Sequence, residues 1–496
     1  MATILDVDAG ETAVTSVHAS RRTILSGGLQ TLVAQGVVMV LSLVAQRVIL
    51  STLSKEENGE LFLIRRTVEI FALLLIDVGF NPGALREIAR DASHQERVLS
   101  TIGAYRLVAW LFLVLMVTGY TFAVGQDPTA VVLWCCYLLL ASRSALLRYL
   151  YEIPQRATMQ FGPPLLNMVL DSVFLTIGVY LFRESLRPSV VLAIFAVSVI
   201  PGMVLQVVST GWATLQPRFV DRSVFKTHLR LAAPVWITTV LMIIHDRLDA
   251  VALSMFVGTK AVGIFGAAYQ MLAPFTTTLP IAAGSVLMPV VARLSQTHPE
   301  QASSYVATVV RVLTALGLVI ASVSTVFVPE GIALMTKNVY ADDAMVFRVL
   351  LWSMLPIFVV TYAMDSLNAY GRQRYNVHIV ATLAVSTIVA GLLFIPIWGA
   401  VGASLTKLVS VSAAGIMAVF LLARAMGKAF PISMMIRTVI ATVLCVVVAE
   451  VLPAVIHRYL AGPLVLVGSG IVVMLLGITR RSDIVLLVQS RGRGGS

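Results

Sequence analysis

Along this chain, apolar residues fall in repeated runs of about 20, separated by short polar connections, and about 20 apolar residues is the length that crosses a ~30 Å hydrocarbon layer as a helix. The pattern predicts about fourteen spans, at residues 24–49, 61–81, 101–124, 129–151, 161–183, 189–213, 231–257, 261–292, 305–328, 345–369, 376–396, 398–423, 431–453 and 460–478. The longest connection, around Gln216 to Arg230, leaves no room for an extramembrane domain. The fold class expected is therefore an all-α polytopic membrane protein.

Composition agrees. Of 496 residues, 58% are hydrophobic and 12% charged, and mean hydropathy is +0.90. Soluble domains carry about 25% charged residues, so a water-soluble globule is excluded. Cys135, Cys136 and Cys445 all lie in apolar runs, and an adjacent pair does not readily form an ordinary disulfide. Neither a disulfide framework nor a metal site is indicated. The polar stretch from Met1 to about Arg22 lacks the order of a signal peptide and reads as a cytoplasmic tail.

The net charge of +11 raises the question of nucleic acid. Its distribution answers it. With the N-terminus inside, the inner connections hold most of the basic residues, including Arg86, Arg90, Arg97, Arg156, Arg218, Arg222, Lys226, Arg293, Arg372, Arg374, Arg424 and Lys428. The outer ones hold only Lys55, Arg183, Arg187, Lys260, Lys337 and Arg458. This is the positive-inside bias of a multi-pass membrane protein with both termini in the cytoplasm, so no nucleic-acid partner is expected.

Two internal echoes point to duplication. LSKEENGELFLIRR (53–66) aligns with VGTKAVGIFGAAYQ (257–270), Gly59 over Gly263, and PQRATMQFG (154–162) resembles RQRYNVHIV (372–380). The expected organisation is an N-terminal tail (1–22), an N-lobe of spans one to six (23–215), a linker (216–230), a C-lobe of spans seven to twelve (231–424), spans thirteen and fourteen (425–479) and a basic C-terminal tail (480–496). Internal repeats with a site near mid-membrane are a transporter feature.

Several short motifs, taken in order, carry a family resemblance: EENGELF (56–62), DVGF (77–80), LRLAAPVW (229–236) with Asp249, VGIFGAAYQM (262–271), PVVARL (289–294) and WGAVGASL (398–405). Together they resemble the polysaccharide-transporter (Wzx-type) branch of the multidrug/oligosaccharidyl-lipid/polysaccharide (MOP) exporter superfamily, from about residue 20 to residue 425. The chain departs from the family at Asn58, where an aromatic is usual, and at Arg65 and Arg66. The resemblance implies two pseudo-symmetric six-helix lobes in a MATE-like V, plus two C-terminal helices, in the bacterial inner membrane. It also implies a flippase for polyprenyl-diphosphate-linked oligosaccharide that serves exopolysaccharide, O-antigen or capsule synthesis. The partners expected with that step are a polysaccharide polymerase and a chain-length regulator.

Charges within the spans supply the candidate site. On a helix, His245, Asp246 and Asp249 fall within an arc of about 100°, with Arg247 about 160° from Asp249. A charge near a span centre costs roughly 2.5–3.5 kcal/mol on insertion scales, so such residues face protein or water. Arg65, Arg66 and Glu69 share one face of the second span, where Glu69 can pair with one arginine and leave the other for a diphosphate. Arg65, Arg66 and Arg247 are thus candidate phosphate ligands. Tyr269 and Gln270, opposite the arginines in the repeat alignment, are candidate sugar contacts. Glu69, Asp171 and Asp249 are candidates for coupling to a proton or sodium gradient, or for a polar switch. The bland alternatives are snorkelling for Arg65, a neutral acid in the packing for Asp171, and hydration for Asp249. Pro274, Pro280 and Pro289 are candidate bends in the eighth span.

No other cofactor is expected. Competing functions within the fold are a cation-coupled multidrug or solute antiporter and a lipid II flippase. An enzyme, such as a membrane glycosyltransferase or polymerase, would need an outer domain, yet Glu56–Glu57 and Asp342–Asp343 sit in short turns and Asp6-Val7-Asp8 lies in a tail. A transporter is expected, not an enzyme.

Overall fold

The computed structural model describes residues 30–479, apart from 32, 77, 124–136, 138–148, 156, 158–159, 161, 211–215 and 430. The described residues are helical, with no strand. In chain order the helices are α1 Val33–Thr52, α2 Lys55–Leu75, α3 Asn81–Arg90, α4 Gln95–Ala123, α5 Gly162–Leu181, α6 Pro188–Ser198, α7 Ile200–Thr210, α8 Arg222–Phe256, α9 Thr259–Thr297, α10 Pro299–Val326, α11 Val328–Thr336, α12 Ala344–Trp352, α13 Met354–Ala369, α14 Arg374–Ala425, α15 Ile432–Val455 and α16 Arg458–Leu475. Among the described residues, nine stretches are long and apolar enough to span a membrane, or ten with a bent pair in α8. The protein is a multi-pass membrane protein. The expected fourth span (129–151) and both tails lie largely or wholly outside the described residues.

Local chemistry moves several boundaries from where hydropathy put them. Helix α2 begins at Lys55 because Ser54 and Glu57 form a capping box: the Ser54 amide donates to Glu57 Oε2 (2.9 Å) and the Glu57 amide to Ser54 Oγ (3.2 Å). Helix α8 begins at Arg222, inside the expected linker, because Asp221 accepts from the Ser223 amide at 2.6 Å. The connection after α2 holds a short helix, α3, which buries Ala84 and Ile88 and has Pro82 in its first turn.

Helix α14 runs 52 residues, about 78 Å if straight, more than twice a hydrocarbon core. It is two helices joined at Gly399, whose backbone (φ 55°, ψ −126°) is open to glycine. Three residues on, a side chain on Gly402 would begin 2.1 Å from the Phe394 carbonyl oxygen, so the turn closes only without one. The expected eleventh and twelfth spans are the two arms.

Packing divides the described residues into two compact units with these bounding ranges. One holds residues 1–45, 71–185 and 189–236, with a core around Phe80, Ile102, Tyr149 and Tyr151. The other holds residues 46–70, 186–188 and 237–496, with cores around Phe265, Phe347 and Phe358 and around Val306, Tyr362 and Leu421.

Within the second unit, the aligned segments of α2 and α9 cross in direct contact. A side chain on Gly59 would begin 2.0 Å from the Thr259 carbonyl oxygen, and one on Gly263 would begin 1.8 Å from that of Lys55. Lys55 aligns with Thr259 as Gly59 does with Gly263, so the two contacts are symmetry mates about a local two-fold. Asn58 Nδ2 donates to the Gly263 carbonyl across the same crossing (2.9 Å). Phe62 closes it by packing where Gly266 lacks a side chain.

Gly263→Val is expected to destabilise the protein by more than the ~1–3 kcal/mol usual for overpacking, because the clash is with backbone. Gly468→Ala, which meets open space, should be neutral or slightly stabilising. Thermal unfolding in detergent, read by size-exclusion fluorescence, checks both; equal melting temperatures would remove the role assigned to the crossing.

Candidate functional site

The crossing sets what lies deeper on the same two helices. One turn past Phe62, the guanidinium of Arg66 sits between two rings, 4.8 Å from the centroid of Phe62 and 4.5 Å from that of Tyr269. Arg66 lies 3.4 Å from Glu69 Oε2, and the same oxygen lies 3.1 Å from Arg247 Nε on α8. One carboxylate thus bridges two arginines from different helices.

A second node stands beside it. From the second arm of α14, Lys407 Nζ reaches Asp249 at 3.1 Å and Asp246 at 4.0 Å, lies 5.7 Å from the Tyr269 ring, and donates to the His245 carbonyl. Asp249 Oδ1 also accepts from the Ala250 amide (2.8 Å). The His245 ring is held by Thr387 at 2.9 Å and Ser410 at 3.4 Å, with Nε2 3.9 Å from Asp246.

The cluster holds three cations (Arg66, Arg247, Lys407) and three carboxylates (Glu69, Asp246, Asp249), so it carries no net charge. Its two sides differ in exposure. Lys407 and Asp249 are 4% and 2% exposed, whereas the side chains of Asp246, Glu69 and Arg247 are 35%, 31% and 20% exposed. Lys407–Asp249 is the fixed anchor and Glu69–Arg247–Asp246 the open edge. The cluster lies about ten residues into α2, α9 and the second arm of α14, roughly 15 Å along each helix and half the hydrocarbon thickness.

The structure therefore brings together Arg66, Glu69, Arg247, Asp249 and Tyr269 from the sequence expectations. Arg247, which the helical wheel leaves off the acidic edge of its own helix, meets its acid on another helix. Of the two arginines on its own helix, Glu69 reaches Arg66, and it also reaches Arg247 on α8. Asp249 is buried in an ion pair. Gln270 is buried with its amide donating to the Gly266 carbonyl of its own helix (3.1 Å). Arg65 is partly buried on α2. Asp171 lies in the other unit, on α5, where neighbouring Asn167 donates to Gln206 (3.0 Å) and Gln206 to Gln155 (3.2 Å). Helix α9 continues through Pro274, Pro280 and Pro289; the side-chain surroundings of Pro280 and Pro289 lie outside the described residues. Lys407 is the residue that sequence reasoning undervalued. A lysine deep in an apolar run is the signal that could have found it, but its acids are about 160 residues away.

A separate cavity of about 490 Å³ lies between α10, α12, α13, α14 and α15. It is apolar, with the Arg348–Glu450 ion pair (2.9 Å) among its lining, and touches none of the cluster.

Residues 24–295, more than half of the chain, match the family described as polysaccharide biosynthesis protein. The chain belongs to this family. No curated protein matches the sequence. Among solved structures, the lipid II flippase MurJ in an inward closed conformation aligns with TM-score 0.70 at 14% identity, over 90% of this chain and 98% of that one. An inward-facing multidrug resistance MATE family transporter of the MOP superfamily aligns with TM-score 0.62 at 16% identity, over 81% and 98%. A MOP superfamily transporter from Pyrococcus furiosus gives 0.57 at 14%, over 82% and 95%. At these identities the likeness establishes the fold alone, one that the chain shares with these transporters.

Removing one member of the buried anchor should be costly. Lys407→Met leaves Asp249 without its cation and is expected to destabilise by about 3–5 kcal/mol, whereas Lys407→Met with Asp249→Leu should recover most of the loss. Thermal unfolding of the four proteins of this cycle decides it; a double variant no better than the single would mean that the pair is not coupled.

Proposed function

We propose that this member of the polysaccharide biosynthesis family is a flippase that carries a polyprenyl-diphosphate-linked oligosaccharide across the bacterial inner membrane. The observation that carries the reading is the shared Glu69: two arginines held ready in mid-membrane by one exchangeable carboxylate. Arginine offers a planar fork of donors that suits a diphosphate and stays charged at any working pH. In the resting cluster Glu69 occupies that place. A diphosphate arriving at the open edge replaces it, taking Arg66 and Arg247 together, while Lys407–Asp249 keeps α8 and α14 in register.

The exchange also gives the cluster a reason to couple to an ion gradient. A carboxylate displaced from two arginines inside a membrane costs several kcal/mol unless a proton or a sodium ion accompanies it. Glu69, with Asp246 beside it, takes that ion as substrate enters and yields it as substrate leaves. Alternating access then passes the charged head through the protein while the polyprenyl tail stays in lipid. No chemical reaction is assigned to the protein.

The test is the sidedness of the lipid-linked glycan in spheroplasts and in reconstituted vesicles, read with an impermeant glycan probe. Without the protein, the glycan should be made but remain inaccessible. Arg66→Ala and Arg247→Ala, at normal protein levels, should each slow exposure at least about tenfold, the equivalent of ~1.4 kcal/mol. Unchanged exposure in the deletion, with no redundant flippase present, would reject the substrate. Resistance to cationic drugs would then favour the antiporter reading, and a block in wall synthesis the lipid II reading. Transport at full rate after the ion gradient is collapsed would reject the coupling alone.

A further inference from the structure

A second cavity, of about 410 Å³, opens at the end of the second unit where α9 and α12 begin. Three connections that are distant in sequence meet there: Val257 to Lys260 with the start of α9, Asp342 and Asp343 before α12, and Trp398 to Val401 at the break in α14. All three fall on the face that the charge bias makes the outer one. Its size lies within the ~300–1,000 Å³ of small-molecule sites.

We propose that this cavity is a receiving site for the sugar part of the substrate on the outer face. The inference rests on the flippase reading and extends it. Its lining combines one exposed aromatic ring, two carboxylates and an ammonium: Trp398, which is 51% exposed, Asp342, Asp343 and Lys260. A sugar ring has an apolar C–H face that lies on an aromatic plane, and a rim of hydroxyls that donate to carboxylates and accept from lysine. The same group of side chains suits a diphosphate badly, because two carboxylates face it.

The platform is built to hold its position. Trp398 precedes the glycine break directly and packs on Phe394 with ring centroids 5.4 Å apart. The turn beneath it is fixed by Gly402 against the Phe394 carbonyl. Asp343 is tied to Lys55 at 2.7 Å, whose ammonium lies 5.7 Å from the Tyr340 ring. This tie runs to the first residue of α2, so a carboxylate that lines the cavity is held by a residue of the glycine crossing. A rigid site loses less entropy when it takes up a hydroxylated ligand. Asp342, exposed beside it, is the acceptor left facing the opening.

The plain alternative is that Trp398 is one of the aromatic anchors common at membrane interfaces. An anchor would not need Asp342. The experiment uses full-length protein in nanodiscs and, as probe, the water-soluble oligosaccharide released by mild acid from the cell's own lipid-linked pool, with binding read by saturation-transfer NMR. The wild type should transfer saturation to the glycan, and Trp398→Ala and Asp342→Asn should each reduce the transfer about fivefold or more, while Trp398→Phe keeps most of it. Asp342→Asn guards against a folding defect, since the residue is exposed. No transfer in the wild type, or wild-type transfer in both Trp398→Ala and Asp342→Asn, overturns the proposal. Vesicle flipping measured on the same preparations separates the two claims. Flipping without glycan binding removes the receiving site and spares the flippase; glycan binding without flipping supports the site and removes the flippase.

Discussion

Two glycines in backbone contact set the geometry of the second unit. Gly59 and Gly263 let α2 and α9 approach until each occupies the space where the other's side chain would start. Lipid tails are as apolar as leucine, so helices inside a membrane gain little from burying apolar surface against one another, and close approach of small residues becomes a leading source of attraction. The contact also fixes rotation, because only one face of each helix is bare. Once it is made, Phe62 must lie on Gly266 and Arg66 must lie over Tyr269. A clash at the first step would move every later residue on both helices.

The ion cluster depends on that placement and shows how a membrane protein carries charge at depth. Each cation has a carboxylate within 4 Å and each carboxylate a cation, so the burial is offset pairwise and the cluster is neutral as a whole. Neutrality is not inertness. The buried pair, Lys407 with Asp249, is difficult to separate. The open edge, where one oxygen of Glu69 serves two arginines, is the more accessible side, and the proposed flippase reading places the diphosphate there. The two sides of the cluster differ in exposure, one closed and one open.

Much of this was legible in the sequence. The multi-pass class was, because a hydrocarbon layer demands about 20 apolar residues whatever the neighbours are; nine stretches of that kind, or ten with the bent pair, stand among the described residues. The alignment of Gly59 with Gly263 was legible as well, and so was the presence of Arg66, Glu69, Arg247 and Asp249 in apolar surroundings. Helix starts were displaced where a cap outranked hydropathy, as with Ser54–Glu57 and Asp221. The division of α14 into the expected eleventh and twelfth spans holds, and the structure adds that Gly399 makes the break.

By itself, the sequence determined the all-α multi-pass membrane class, the gathering of basic residues in some connections and the supply of charged residues within apolar runs. These follow from local length and composition, which each segment carries alone. Tertiary structure decided the partners. A helical wheel shows which residues share a face of one helix, but Arg247 finds Glu69 on α2 and Asp249 finds Lys407 on α14, and no spacing along the chain encodes those distances. At the aligned glycines the two levels touch: a weak internal echo in the sequence becomes, in space, a crossing at which the repeated segments meet each other.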